Sequence, residues 1–376
     1  MSKSSISYLI FSLLLFATSL QYSSWGIEGT IYEVLRAIII GAIVLLFLVS
    51  LKNPLALFKK IPVFKVHSFC LVLFSFLLFI LYALGVEVDF TAVRDLALAL
   101  VILTIGLNIN LKEKQFIRLI NIYIVLYTLA AVSLVTAFAS GFEIQERYLP
   151  IPKNQVAPAF GVAFMLSVYF SFIKKGTRKW FYYIFIALLG ASLLVIRGRA
   201  VIVAVMLAFL VFIFYYIRNK KYIFFTLAFV LLLMPFIWQY LYDALFLNYD
   251  ITDIDSISTN RMTRNLIGID FLLKYPLTGQ LGHTFYGGKI HNYVLISLVS
   301  YGALLSSLIL IIYFKYVLKI IRAIRKNTFQ YYEVGPLVMI ILLIISLFEY
   351  TYPYAPGSAV FFPFFLLGQY LKKRNS

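Results

Sequence analysis

SFCLVLFSFLLFILYALG, residues 68–85, holds eighteen consecutive positions without a charge. At ~1.5 Å per helical residue, that run crosses most of the ~30 Å of a bilayer's hydrocarbon. No water is available there, so the backbone N–H and C=O groups must pair within the segment, which makes it a helix. Lys59, Lys60 and Lys65 stand before it, and Glu87 and Asp89 after it. The same unit, an apolar block closed by charges, recurs along the chain in both directions. Twelve blocks can be drawn, at 6–22, 31–51, 68–85, 93–109, 118–140, 158–173, 180–196, 200–217, 222–241, 292–317, 335–350 and 358–371.

Composition agrees with that reading. Aliphatic, aromatic and cysteine residues make up 62% of the 376 positions and only 13% are charged. A soluble domain carries about 25% charged residues, so this chain could not cover a water-facing surface. Phe and Tyr are abundant, as expected where rings sit at lipid headgroup level. The single cysteine, Cys70, lies inside an apolar block, so an internal disulfide and zinc-type cysteine clusters are ruled out. The formal charge of +18 is spread between the blocks, not gathered on one face, and so signals topology and not nucleic-acid binding. Residues 1–20 hold one lysine and an apolar run. No small-residue cleavage site precedes Gln21-Tyr22-Ser23-Ser24-Trp25, so the run reads as the first, uncleaved span.

Orientation follows from Lys and Arg. With the N-terminus in the cytoplasm, 23 of the 33 basic residues fall on the inner side. Nine fall outside, and Arg36 lies within the second block; of the acids only Glu113 and Glu333 are inside. Alternation holds through every loop, which predicts an all-α polytopic membrane protein of about twelve helices, one transmembrane domain over 1–376, with both termini cytoplasmic. Its largest outer loop, 242–290, is too small to fold alone. It holds a polar stretch from Asn248 to Asn260, an amphipathic helix from Arg261 to Lys274, and turns at Pro276, Gly279, Gly282, Gly287 and Gly288.

The residues that break the positive-inside pattern carry the chemistry. Arg197-Gly198-Arg199 forms a short outer turn between the seventh and eighth blocks. Two outer arginines work against the orientation; either they snorkel to lipid phosphates or something anionic compensates them. Arg261 and Arg264, three apart, share a helical face with Gly268, beside an apolar stripe of Met262, Leu266, Ile269 and Leu273 that suits the interface. Alone they read as a solvated face paired with Asp253 or Asp255. Two arginine sites on one membrane side point instead to a phosphorylated lipid, because a guanidinium matches diphosphate oxygens in a bidentate fork.

Three histidines are present. His67 reads as a cytoplasmic surface residue and His283 as solvated in a Gly-rich loop. His291, with Asn292, stands where the large loop enters the tenth block, on the side of the arginines, placed either for proton transfer or for helix capping. Asp253-Ile254-Asp255 resembles a metal-holding acidic pair, but in a loop rich in Asp and Ser the preferred reading is a solvated turn. No Walker loop or dinucleotide fingerprint occurs, so ATP-driven pumping has no support in the sequence, and no cofactor is expected. The intramembrane acids Glu33 and Glu349 lie near outer ends, which argues against a mid-bilayer carboxylate relay.

In order, spacing and sidedness these residues resemble the O-antigen polymerase and O-antigen ligase superfamily of bacterial inner membranes. The shared pattern is a short outer turn opening a span (Gly198-Arg199-Ala200) and a large outer loop with an arginine (Arg261) ahead of a proline turn (Pro276-Leu277-Thr278-Gly279). His-Asn then opens the next span (His291-Asn292), with Gly302 after it. The likeness covers about 150–330. Ligases tend to carry a second glycine three positions on, where this chain has Leu305, so polymerase is preferred.

The resemblance implies a glycosyltransferase at the periplasmic face. Its donor would be an undecaprenyl-pyrophosphate-linked oligosaccharide, joined into polysaccharide for lipopolysaccharide O-antigen biosynthesis. It implies that Arg199 and Arg261, assisted by Arg197 and Arg264, grip the diphosphate, and that His291 activates the acceptor hydroxyl. Asn292, Tyr286 and Tyr293 would contact substrate, with Tyr350 and Tyr352 as further stacking rings, although an interfacial belt is the preferred reading of each of the four tyrosines; no metal would be required, because the arginines supply the positive charge. Expected partners are membrane lipids and the pathway's chain-length regulator and flippase. The alternatives are an O-antigen ligase, which would transfer polysaccharide to lipid A core, and a flippase of the same lipid-linked sugar.

Overall fold

Apolar blocks become helices because only a helix pairs every backbone group within its own segment. The computed structural model describes residues 3–24, 29–50, 61–139, 153–174, 176–196, 198–217, 260–288, 290–326, 328–354 and 357–375. The described residues are all-helical in their regular structure. In chain order the elements are α1 (Lys3–Gln21), α2 (Gly29–Ser50), α3 (Pro62–Ala83), α4 (Thr91–Asn108), α5 (Glu113–Ala139), α6 (Lys153–Ile173), α7 (Arg178–Ile196) and α8 (Arg199–Tyr216). Then come α9 (Arg261–Lys274), α10 (Tyr293–Arg325), a 3-10 turn (Tyr331–Glu333), α11 (Val334–Ile345) and α12 (Ser358–Asn375). Nine of them, α1 to α8 and α10, are long and apolar enough to cross a membrane, so the chain is a multi-pass membrane protein. The ninth block, 222–241, lies outside the described residues, as do Arg197, Asp253 and Asp255.

The helices sort into lipid-facing and buried faces. On α3, Phe69, Val72, Phe76 and Phe79 are exposed, while Phe74 and Leu78 on the other side are fully buried. His67, expected on the surface, is fully buried on the same helix. Its Nδ1 lies 2.8 Å from the Tyr316 hydroxyl and its Nε2 3.1 Å from the Leu96 carbonyl, so both ring nitrogens are satisfied inside the bundle.

Cross-helix contacts gather the basic residues at one end of the bundle. Ser4 donates to Gln115 (2.8 Å) and Tyr127 to Thr18 (2.9 Å), so α1 and α5 run parallel from that end. Tyr182 donates to Asn121 (2.8 Å), and Lys372 to the Ile109 carbonyl (3.0 Å). Tyr169 donates to the Gln330 carbonyl (2.6 Å) and Tyr216 to that of Glu333 (3.2 Å). Glu333, buried there, accepts from Thr328 N (2.6 Å), Gln330 N (3.0 Å) and Arg374 (3.0 Å), so the carboxylate has a partner on every side. The starts of α1 and α5 and the ends of α6, α8, α10 and α12 therefore share one face.

Two elements depart from uniform spans. α11 is only 12 residues, about 18 Å, and stops at Ile345 where the sequence reads apolar to 350. The strap that follows, 346–354, is non-helical, which hydrocarbon tolerates only where protein surrounds the backbone. α10 runs 33 residues, well past its apolar block, and breaks at Gly302 (φ 65°, ψ 173°). The Pro276–Gly279 turn fills that break. Ala303 N donates to the Pro276 carbonyl and Gln280 N to that of Val299, both at 2.8 Å. The spacing between the proline turn and Gly302 is thus one interlocked joint.

Candidate functional site

At the end of the bundle away from the Glu333 cluster, four elements converge on one carboxylate. The non-helical strap presents Glu349, whose side chain is only 7% exposed. Arg261, the first residue of α9, forks the strap: Nη2 meets Glu349 Oε1 at 2.7 Å and Nη1 donates to the Phe348 carbonyl at 2.7 Å. Asn154, in the first turn of α6, donates its amide to the same Oε1 at 3.0 Å. His291, just before α10, sets Nδ1 3.4 Å from Glu349 Oε2. Its other nitrogen, Nε2, is 3.5 Å from Arg264 Nη1. A buried carboxylate needs this many donors, because an isolated charge taken out of water costs several kcal/mol.

Local sequence explains how each group is held. Asn292 is the N-cap of α10: its side-chain oxygen accepts from Leu295 N (2.9 Å), and its amide donates to the Leu347 carbonyl (3.2 Å). Both ends of that side chain are spent on structure, tying the start of α10 to the strap, and Tyr293 N adds a bond to the Ser346 carbonyl (2.9 Å). Gly268, two turns along α9, lets that helix press on the segment entering α10: a Cβ there would lie 2.6 Å from Ile290 Cδ1. Tyr352 donates to the Asn154 carbonyl at 3.3 Å.

The residues singled out by sequence are placed as follows. Arg261, Arg264, His291 and Asn292 come together. Arg199 opens α8 at the same end; the adjacent Gly198 packs on Ala157, one turn along α6 from Asn154. Tyr350 stands against His291, edge to face at 5.9 Å. Tyr293 is not on the site's surface: its ring is buried against Tyr354 (5.6 Å) and Tyr313 (5.7 Å). Tyr286 is 91% exposed, its ring turned to the surface. His283 stacks on Tyr275 (3.8 Å). Among the described residues, no three His, Cys, Asp or Glu side chains gather as metal ligands.

Glu349 and Asn154 are the members that sequence reasoning missed. The one signal was an acid at the outer end of an apolar block, read only as too shallow for a proton relay.

The contact cluster holds two arginines against one carboxylate, with a third arginine at the same end, so it favours an anion. It also holds an imidazole with one nitrogen on a carboxylate, the arrangement in which a ring is oriented to take a proton on the other. Among known proteins, neither a family model nor a curated sequence matches the chain.

Proposed function

We propose that the chain is an O-antigen polymerase of the bacterial inner membrane, joining oligosaccharide repeat units carried on undecaprenyl pyrophosphate. One observation carries the reading: His291, backed by Glu349, sits within the Arg261–Arg264 pair at one end of a membrane-spanning bundle. On this reading the chain crosses the membrane twelve times with both termini in the cytoplasm, and the site end faces the periplasm. The sequence likeness across 150–330 supports the same assignment.

In the reaction, the acceptor hydroxyl of one lipid-linked repeat attacks the anomeric carbon of another. The carbon–oxygen bond to the diphosphate breaks as the new glycosidic bond forms. His291 Nε2 takes the hydroxyl proton, and the arginines neutralise the charge gathering on the departing lipid diphosphate. Glu349 holds the ring through Nδ1 and offsets the imidazolium that results. The arginines supply the positive charge that a metal supplies elsewhere. The chain-length regulator and flippase of the pathway would be its working partners.

The deciding experiment is His291→Ala in a strain assembling lipopolysaccharide. A polymerase so disabled leaves lipid A core capped by a single repeat unit, because a separate ligase still transfers it. That is the expected outcome. Bare core, with long chains accumulating on undecaprenyl pyrophosphate, would identify a ligase instead, and unchanged long-chain product would remove His291 from the reaction.

A further inference from the structure

Arg264 and His291 meet in a way that glycosyl transfer does not by itself require. The imidazole lies between Arg264 Nη1, 3.5 Å from Nε2, and Glu349 Oε2, 3.4 Å from Nδ1. A guanidinium has only hydrogens to offer, and an ionised carboxylate only lone pairs. The ring between them therefore carries its hydrogen on Nδ1 and turns the Nε2 lone pair toward Arg264. That lone pair is the one an acceptor hydroxyl needs.

The two arginines are held very differently. Arg261 is clamped by two 2.7 Å contacts to the strap. Arg264 has no carboxylate partner among the described residues, and its contact with His291 is at the long limit of a hydrogen bond. Space beside it is open: a Cβ built on Gly288 would meet nothing within 4 Å except Arg264 Nε, at 3.9 Å. A diphosphate offers several charged oxygens, and a guanidinium pairs with such oxygens in short, often bidentate hydrogen bonds between opposite charges. Of the two side chains, Arg264 is the one able to turn toward such a ligand.

We propose that Arg264 caps the His291 base until a diphosphate draws the guanidinium away. The donor then has to be seated before the acceptor hydroxyl can be deprotonated, which gives the reaction a fixed order, donor first. This rests on the diphosphate-donor reading above and adds the control of that same site.

The test uses the full-length protein in detergent, with inorganic pyrophosphate as the probe. Diethyl pyrocarbonate acylates an accessible imidazole lone pair, and peptide mass spectrometry reads its rate at His291 at one fixed pH. The exposed His283 serves as reference in the same molecule. In the wild type, saturating pyrophosphate should raise the His291 rate several-fold and leave His283 unchanged. Arg264→Ala should show the raised rate without pyrophosphate and gain nothing from adding it, while an unaltered His283 rate reports an intact loop. Equal His291 rates in wild type and Arg264→Ala overturn the cap, and so does slowing of the wild-type rate by pyrophosphate. If millimolar pyrophosphate does not shift the wild-type unfolding temperature, the diphosphate reading itself fails, and the ligand-free comparison with Arg264→Ala still decides the cap.

Discussion

Gly302→Ala tests whether the joint in α10 is what places His291. Gly302 adopts φ 65°, ψ 173°, a region essentially reserved for glycine; strained backbone of this kind costs about 1–3 kcal/mol. A Cβ there would also collide with the Leu277 carbonyl oxygen and come within 2.5 Å of Thr278 N. Both are main-chain atoms, so no side chain can swing aside; the whole Pro276–Gly279 turn must back away. Retreat breaks the Ala303 and Gln280 hydrogen bonds that pin it, worth about 1 kcal/mol each. The sum is about 3–5 kcal/mol, a large share of the 5–15 kcal/mol that separates folded from unfolded in an ordinary domain.

Because the joint lies between the membrane part of α10 and its first turns, the damage should fall on the segment carrying His291 and Asn292. The expected result is a lowered thermal unfolding temperature in detergent, faster proteolysis within 275–290, and loss of long-chain polymer in complemented cells. Gly279→Ala, whose Cβ would sit 2.5 Å from Gly302 N, should behave alike. The double variant should cost less than the two singles together, since both break one joint. Gly41→Ala is the control: its Cβ would meet nothing within 4 Å on an exposed helix face, so it should be neutral. Wild-type melting and wild-type polymer from Gly302→Ala would refute the reasoning.

Three further outcomes follow from the same geometry. Arg261→Lys keeps the charge but cannot span the Phe348 carbonyl and Glu349 with one planar fork, so polymer should be largely lost, as it should in Arg199→Lys; full-length ladders from both would leave these residues a lipid-snorkelling role only. Glu349→Gln preserves shape while removing the charge that Arg261 and His291 share, and should match His291→Ala in product pattern on a polysaccharide gel, whereas intact ladders would mean the carboxylate only braces the strap. Tyr286→Cys and Lys373→Cys, both exposed and at opposite ends of the bundle, should react with an impermeant maleimide from opposite sides of the membrane; labelling of both from the periplasm would sink the twelve-span topology.

The helical membrane architecture was legible because it rests on one-dimensional quantities, the length of apolar runs and the alternation of charge between them. Element ends were less so. The block at 335–350 reads apolar throughout, but Ser346–Tyr354 is a strap, and apolar content alone does not distinguish a buried helix from buried irregular backbone. Lys315 and Lys319 read as the edge of hydrocarbon, while α10 continues to Arg325 as a helix whose Ile320, Ala323 and Ile324 stay buried. His67 looked like a surface residue because its partner, Tyr316, is 249 positions away.

The site divides along the same line. Arg261, Arg264, His291 and Asn292 stood out because the charge pattern assigns each to the side where basic residues are expected to be scarce, and that rule needs no contact information. Glu349 could not stand out that way, since an acid at an outer end fits the charge pattern. Its meaning lies in partners 58, 88 and 195 positions distant: His291, Arg261 and Asn154. Yet its burial follows from the charges placed around it. Two arginines drawn together in a partly dehydrated site repel one another unless a carboxylate intervenes. A short α11 ending in a strap is what brings one in from the far side. Break the helix earlier or later and Glu349 would face lipid or solvent; stopping at Ile345 puts it against the first residue of α9 and the last residue but one before α10.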